Sequence, residues 1–556
     1  MTETRRDRGI PAPLAWLAGV AAVVLGAGLG ELTAGIVAPS SSPVAAVGAA
    51  LIDLAPSWAK DAAIALFGTA DKIALLTGIA LVVLVLAALA GRLEARRPPW
   101  GVLVVGAFGA AGAVVAMTRP DAGPLSWLPA VVAGAVGAIA LWLLLRTLRP
   151  ATRNSATPIR ATTPPEPSDE GATRREIPHA AGSRRSSDTP PDADEPPRSP
   201  DRRAFFVWAG AATAVGLVAA AVGGIRATGT AAVEAVRRAL RLPAPVVAAP
   251  PIPARAELGI PGLAKVITPN TSFYRIDTAI IVPEIDPADW ALRVHGMVED
   301  EFFLSWDELL GLPLEESVTT LACVSNPVGG DLIGNAVWLG YPIRDLLARA
   351  KPSPDADMVL SKSRDGFSAS TPLDVLLDQR DAILAVGMNG EPLPFAHGFP
   401  VRMVVPGLYG YVSATKWVTS LEVTRFDRAR AYWTDRGWSE RGPIKLQSRI
   451  DVPRREQGLK SGETVIAGVA WQQHVGVAGV EVQIDDGAWQ EASLATAISE
   501  DTWVQWSLPW TATAGDHLIR CRAISATGEV QTSEHAPVVP DGATGWHERF
   551  VQVFAA

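Results

Sequence analysis

The pattern of apolar and polar positions divides the chain near residue 225. Before that point, apolar runs cover 12–38, 72–91, 100–118, 125–146 and 204–224. Each is close to the ~20 residues that carry a helix across a bilayer with its backbone groups satisfied internally. A weaker run over 44–68 is broken by Asp53, Pro56, Lys60 and Asp61 and reads as an amphipathic or re-entrant stretch. Residues 150–203 are rich in Pro, Ser, Arg, Asp and Glu. Such a segment buries too little apolar surface to offset its ordering entropy, so a disordered cytoplasmic linker is expected there.

Basic residues orient the spans. Arg5, Arg6 and Arg8 precede the first, and Arg92, Arg96 and Arg97 lie between the second and third. Arg146, Arg149 and Arg153 follow the fourth, and Arg202 and Arg203 precede the fifth. With five spans every cluster falls on the cytoplasmic side, and everything after about residue 225 falls outside. The expectation is a four-helix membrane region over 1–149 and a fifth helix over 204–224. The Arg202-Arg203 pair resembles a twin-arginine export signal, although Asp201 stands where Ser or Thr is usual; ordinary positive-inside charge is the plainer reading.

After residue 225 the pattern shortens. Pro269-Asn270, Asn389-Gly390 and Pro406-Gly407 are turn signals. Between them, 291–295, 401–405 and 417–421 read as strands, and 306–310, 343–350 and 373–377 as brief helices. This predicts an α+β domain over 255–455 with its sites on loops. From 456 to 556, alternating segments at 465–471, 480–484, 503–506 and 517–523, with a turn at Asp485-Asp486-Gly487, predict an immunoglobulin-like β-sandwich.

Composition then excludes several classes. A net charge of −8 gives no footprint for nucleic acid. Two cysteines rule out a multi-bridge disulfide framework. The seven histidines are His179, His295, His397, His474, His517, His535 and His547, none in an expected span, so no bis-histidine membrane haem is expected. The cysteine count also leaves no iron–sulfur cluster. Glu31 is the clearest ionisable residue within a span, but it sits near a helix end and reads as an interface contact. The membrane part therefore reads as an anchor or docking surface. A transporter reading is weaker, since charged lining residues and broken-helix pairs are lacking.

The candidate chemistry lies in the second half. Cys323 sits in Thr320-Leu321-Ala322-Cys323-Val324-Ser325-Asn326; then come His397-Gly398-Phe399-Pro400-Val401-Arg402 and Lys416-Trp417. A lone thiol binds soft metals. A histidine, an arginine fork and a lysine point charge suit a phosphate. Against this stand an inert buried thiol and a His397 that bonds only backbone. Cys521 falls in an alternating segment and reads as core; a Cys323–Cys521 disulfide is the weaker alternative.

With these residues in place, 265–450 resembles the molybdopterin-binding domain of the sulfite oxidase family. The landmarks run in the family's order: Thr268-Pro269-Asn270, Phe273-Tyr274-Arg275, Leu292-Arg293-Val294-His295-Gly296, the Cys323 loop, Gly334-Asn335-Ala336-Val337-Trp338, Asp365-Gly366-Phe367, Gly387-Met388-Asn389-Gly390, then the His397–Arg402 and Lys416-Trp417 motifs. The resemblance implies a molybdenum–molybdopterin cofactor, with Cys323 as the one protein thiolate on the metal. It implies cofactor contacts from Phe273, Tyr274, Arg275, His397, Arg402 and Lys416. Cys323, Arg275 and Arg436 are the candidate catalytic residues. The family's Arg-Asn-His is Arg275-Ile276-Asp277 here, and its substrate-contacting tyrosine has no counterpart in register within 432–438. The anion-binding set expected for sulfite is therefore incomplete. The C-terminal segment resembles the family's dimerisation domain and implies a homodimer. The function expected is a membrane-anchored oxidoreductase that transfers an oxygen atom to or from sulfite, or an S- or N-oxide, and exchanges electrons with a separate partner. A non-enzymatic membrane sensor or scaffold that reuses the fold is the alternative of another class.

Overall fold

The computed structural model describes residues 10–37, 41–54, 71–119, 122–149, 202–227, 231–454 and 458–556. The expected linker over 150–203 lies almost wholly outside the described residues.

Among the described residues, five helices are long and apolar enough to cross a membrane: Ala12–Val37, Ala74–Arg96, Trp100–Met117, Leu128–Thr147 and Arg202–Gly224. They match the five sequence runs. The weaker 44–68 run begins as a twelve-residue helix, Pro43–Leu54, and its remainder is outside the described residues. The first helix is the centre of the bundle and packs against the second, fourth and fifth spans. Glycine permits this closeness: a Cβ on Gly28 would lie 1.9 Å from the Gly216 carbonyl oxygen of the fifth span. Glu31 accepts from Ser42 Oγ at 2.8 Å and Val44 N at 3.1 Å, so it caps the start of the Pro43–Leu54 helix, a structural role.

Beyond the last span, the amphipathic helix Ala231–Ala239 reaches the body formed by the rest of the chain. Its Arg237 pairs with Glu234 and donates to the Pro392 carbonyl at 3.2 Å. The body that follows begins with two sheets, one mixed and one antiparallel. The first has strands in the order β2 (Phe302–Ser305), β1 (Ala291–Gly296), β10 (Val418–Thr424), β5 (Met358–Ser363) and β6 (Ser368–Pro372), with β1 and β10 parallel. The second has the order β3 (Glu315–Ala322), β4 (Ile333–Pro342), β7 (Ile383–Met388) and β8 (Glu391–Pro392), with β9 (Arg402–Val404) also on β7. The Asn-Gly signal makes the β7–β8 turn: Asn389 and Gly390 have φ of 53° and 81°, the left-handed pair of a type I′ hairpin. Short helices over Trp306–Leu310, Ile343–Ala350 and Leu373–Leu377 pack on these sheets, as the sequence predicts. A capping box formed by Ser305 and Glu308 starts the first of them.

The C-terminal body is a sandwich. One sheet runs β11 (Gln447–Val452), β13 (Gly462–Trp471), β17 (Val504–Ala512) and β16 (Ser493–Leu494). The other runs β12 (Leu459–Lys460), β19 (His547–Phe554), β18 (Gly515–Ser525), β14 (Val477–Ile484) and β15 (Gln490–Glu491). Its core holds Trp506, Ile466, Val480, Val482, Ile519, Cys521 and Val551. Because β11 pairs with β13, the sandwich takes in residues 447–452, which the sequence reading had placed in the preceding domain.

The sandwich also braces the loop that matters most. Trp503 N donates to Thr320 Oγ1 at 2.9 Å, Gln473 Nε2 to Thr320 O at 3.0 Å, and Arg449 Nη1 to Gly330 O at 2.8 Å. These bonds fix the end of β3 and the loop between β3 and β4, where Cys323 lies.

Candidate active site

Cys323 is the first residue after β3. Its N–H donates to Leu332 O at 2.9 Å, and its carbonyl accepts from Asn326 N at 3.1 Å. Asn326 Oδ1 accepts from Leu332 N at 2.9 Å, which closes the loop into a tight ring. Both cysteines are free, so the Cys323–Cys521 disulfide is not formed. The Cys323 thiol is buried, and burial pushes its proton affinity up while Ser325 and the Lys416 charge pull it down.

The thiol lines a solvent-open cleft of about 110 Å³ together with Phe273, Tyr274, Asp277, His397, Arg402 and Lys416. Phe273 and Tyr274 stack at 5.3 Å between ring centroids. Phe273 also meets the His397 ring edge-on at 5.5 Å and covers Gly334, where a Cβ would come within 2.8 Å of the Phe273 ring. The preceding turn is fixed through Asn270, which bonds Asn389 Nδ2 at 2.7 Å and Glu391 Oε1 at 2.6 Å.

His397 ends a short 3-10 turn. Its Nε2 lies 3.2 Å from Asn270 O; a carbonyl only accepts, so the proton is assigned to Nε2. Burial, helped by the Arg402 charge, lowers its pKa to about 4. Gly398 follows with φ of 111°, and a Cβ there would sit 2.9 Å from Arg402 Cβ and 3.1 Å from Lys416 Cβ. Only glycine lets the three polar residues converge.

Arg402 is buried on β9. It donates to His397 O at 3.1 Å, Met403 O at 3.3 Å and Ala414 O at 3.5 Å, and lies over the Trp338 ring. No carboxylate pairs with it among the described residues. Burial lowers its pKa to about 10. Lys416 Nζ contacts Asp277 Oδ2 and donates to Ala396 O at 3.1 Å, and burial lowers its pKa to about 8 despite that carboxylate. Trp417 takes φ of 51°, rare for a bulky residue, and its Nε1 donates to Phe395 O at 3.0 Å.

The candidate catalytic arginines behave differently. Arg275 is not in the cleft lining but reaches it through Asp277, with Nε–Oδ2 of 2.8 Å and Nη2–Oδ1 of 3.3 Å. Arg436 does not line the cleft. Its guanidinium lies 3.6 Å from the Tyr432 ring centroid and donates to Tyr432 O at 2.7 Å.

Sequence reasoning noted Asp277 only as a departure. Its signal was the Arg275-x-Asp277 spacing, which sets two side chains on one side of an extended segment. It quoted Asp365 only as a landmark and gave Trp433 and Trp438 no role, although all three line the same cleft.

Chemically, this is one soft ligand at one side of the cleft and a phosphate-type set beyond it. Among the described residues no three His, Cys, Asp or Glu side chains converge on a metal position. A metal at Cys323 would therefore draw its other donors from a non-protein ligand. The buried Arg402, answered only by carbonyls, fits an anion on that ligand.

Comparison with known proteins agrees with this geometry. Residues 279–433 match the model of the oxidoreductase molybdopterin binding domain. The mitochondrial sulfite oxidase of Rattus norvegicus is 30% identical over 341 residues, 52% of this chain and 62% of the rat protein. The chain thus spans about six-tenths of the length of that relative. The uncharacterized oxidoreductase YuiH of Bacillus subtilis is 33% identical over 173 residues, 31% of this chain and 84% of that protein. Among solved structures, the sulfane dehydrogenase SoxCD of Paracoccus pantotrophus aligns over 52% of this chain and 84% of that one, at 23% identity and a TM-score of 0.46. Shared sequence over the segment that supplies Cys323, His397, Arg402 and Lys416 places this chain in the sulfite oxidase family of molybdopterin-binding oxidoreductases.

Proposed function

We propose that the protein is a membrane-anchored molybdenum-cofactor oxidoreductase whose catalytic body works outside the cytoplasm. The observation that carries this reading is the cleft that joins a lone thiol, Cys323, to a buried His397, Arg402 and Lys416. Cys323 would ligate the metal. Arg402 and Lys416 would hold the pterin phosphate, one as a fork and one as a point charge. Phe273 and Tyr274 wall the cleft beside them. When bound, the molybdenum cofactor supplies two-electron oxygen-atom transfer, with water as the source or sink of the oxygen. The chain's own part is to position that group, exclude water with aromatic walls and fix the loops through Asn270, Asn389 and the sandwich.

The five apolar helices support a multi-pass anchor, and the arginine clusters support a cytoplasmic N-terminus. The sandwich is proposed to pair with a second copy. Electrons pass to or from a separate carrier.

The test is the pterin and molybdenum content of the full-length protein, purified in detergent from a host that makes the cofactor. About one of each per chain is expected. A folded protein with neither would overturn the reading. Orientation is read separately, by protease digestion of intact cells. Loss of the outer body from intact cells is expected; its protection would place it in the cytoplasm.

A further inference from the structure

The loop that carries Cys323 closes on itself and then on a residue of the sandwich. Cys323 N donates to Leu332 O, and Leu332 N donates to Asn326 Oδ1, both at 2.9 Å. A Cβ on Gly330 would lie 2.4 Å from that same Asn326 oxygen. Gly329, one residue earlier, has φ of 76°, and a Cβ there would lie 2.3 Å from Cδ2 and 2.4 Å from Nε2 of His547. The imidazole therefore meets bare backbone, at a spacing that only glycine permits.

His547 is the first residue of β19 and is 9% exposed. Its ring is aimed by the opposite sheet. Ile450 N of β11 donates to His547 Nδ1 at 2.9 Å, so the opposite edge of the ring, Cδ2 and Nε2, faces Gly329. Arg549 Nη2 donates to Ile450 O at 2.8 Å and ties the same two strands together. Beside Ile450, Arg449 Nη1 donates to Gly330 O at 2.8 Å, and Asp451 holds the guanidinium at 2.6 and 3.3 Å. Trp503 and Gln473 fix the strand that leads into Cys323. His547 and Arg449 fix the return that leads away from it. A metal ligand is held in productive geometry by residues that do not themselves touch the metal.

We propose that His547 is a positioning residue for the Cys323 sulfur: its ring, oriented from β11, bears on Gly329 and holds the 326–332 return, so that the thiol is presented to the cleft only while the sandwich is seated. The proposal rests on the reading of Cys323 as the metal ligand and deepens it. The imidazole acts as a shaped wall with one acceptor nitrogen. The C-terminal body is then part of the site's assembly rather than an appended module.

The experiment uses the full-length protein in detergent, in a C521S parent so that Cys323 is its one thiol. H547N, G329A, the two together, and I466V are compared with that parent. Asparagine puts an acceptor where Nδ1 was and removes the ring edge that meets Gly329. I466V trims the sandwich core and leaves the loop contacts in place. Alkylation of Cys323 by iodoacetamide at fixed pH is followed on cofactor-free protein, molybdenum retention after dilution on loaded protein, and thermal unfolding on both. H547N and G329A should each speed alkylation about tenfold, and loaded H547N should lose molybdenum faster by a similar factor. The double variant should be no faster than either single one, because both changes remove the same contact. I466V should lower the unfolding temperature yet leave alkylation at the parent's rate, which a merely stabilising role for His547 would not allow. Alkylation of H547N equal to the parent, or raised no more than in I466V, overturns the proposal, and so does full additivity in the double variant. If H547N does not fold, G329A decides by the same comparison. Loaded parent that holds no molybdenum breaks the ligand reading of Cys323, while alkylation still decides whether His547 orders the loop.

Discussion

The chain carries two cysteines, both buried and both free, in two regions that treat them in opposite ways. Cys521 lies in β18 at the centre of the sandwich. Ser448 Oγ lies 3.2 Å from its sulfur, aliphatic strands surround it, and burial pushes its pKa up to about 12. Cys323 is also buried, at 8% exposed against 0%, yet it lies on a loop, lines a cleft and has Lys416 close enough to oppose the effect of burial. Burial alone does not separate an inert thiol from a ligand. The surroundings do: a closed apolar core against a cleft that gathers Arg402, Lys416 and His397.

The largest break in this comparison comes from exchanging the two sulfurs in turn. C323S should fall from about one molybdenum per chain to near none while keeping its fold, because the hydroxyl is a poor soft-metal ligand. C521S should keep its metal. Equal metal loss in both would show that the two sites do not differ as described, and elemental analysis with circular dichroism reads both arms.

The next effect concerns Arg402. Replacing it with methionine keeps the volume and removes the cation, so pterin should leave the protein roughly 10- to 100-fold faster, the range of one charge-assisted bond. Pterin fluorescence after dilution follows this directly. Retention equal to wild type would leave the buried guanidinium without its proposed anion.

A third, smaller effect is titratable. His397 has a folded pKa near 4 against an ordinary value of 6.5. The unfolded chain therefore takes up a proton first as pH falls. Stability conferred by neutral His397 is complete above 6.5 and is lost between 6.5 and 4, by about 3 kcal/mol at most. Denaturation of cofactor-free protein across that window should show the loss, and H397Q should flatten it. A wild-type curve as flat as H397Q would show that the imidazole is not held neutral.

The smallest effect belongs to the sandwich. S448A removes the hydroxyl that meets both Cys521 and Gln531 Oε1, and should cost about 1–2 kcal/mol without touching cofactor content. A fall in molybdenum here would mean that the sandwich does more than brace the loop, and thermal unfolding alongside metal analysis distinguishes the two.

Much of the architecture was legible in the sequence, because each feature has a local cause. The five spans follow from length and hydropathy, and the 389–390 hairpin from Asn-Gly. The sequence reading also marked Cys323, His397, Arg402 and Lys416, and the structure brings them to one cleft. What escaped depended on contacts across the chain. Arg436 read as a candidate catalytic residue, and it stacks on Tyr432 four residues away. Asp277 looked like a missing anion site, when it is an anion already in place between Arg275 and Lys416. Nothing local to Trp438 shows that its N–H lacks a partner. The early start of the sandwich was hidden because β11 finds its partner, β13, only after a connecting segment.

The central claim is that the Cys323 sulfur binds the metal of a molybdenum cofactor. X-ray absorption at the molybdenum edge, on wild type and on any C323S protein that retains metal, tests it most directly. The account predicts one more sulfur scatterer in wild type than in C323S, and no such difference for C521S. Identical sulfur coordination in wild type and C323S would contradict it.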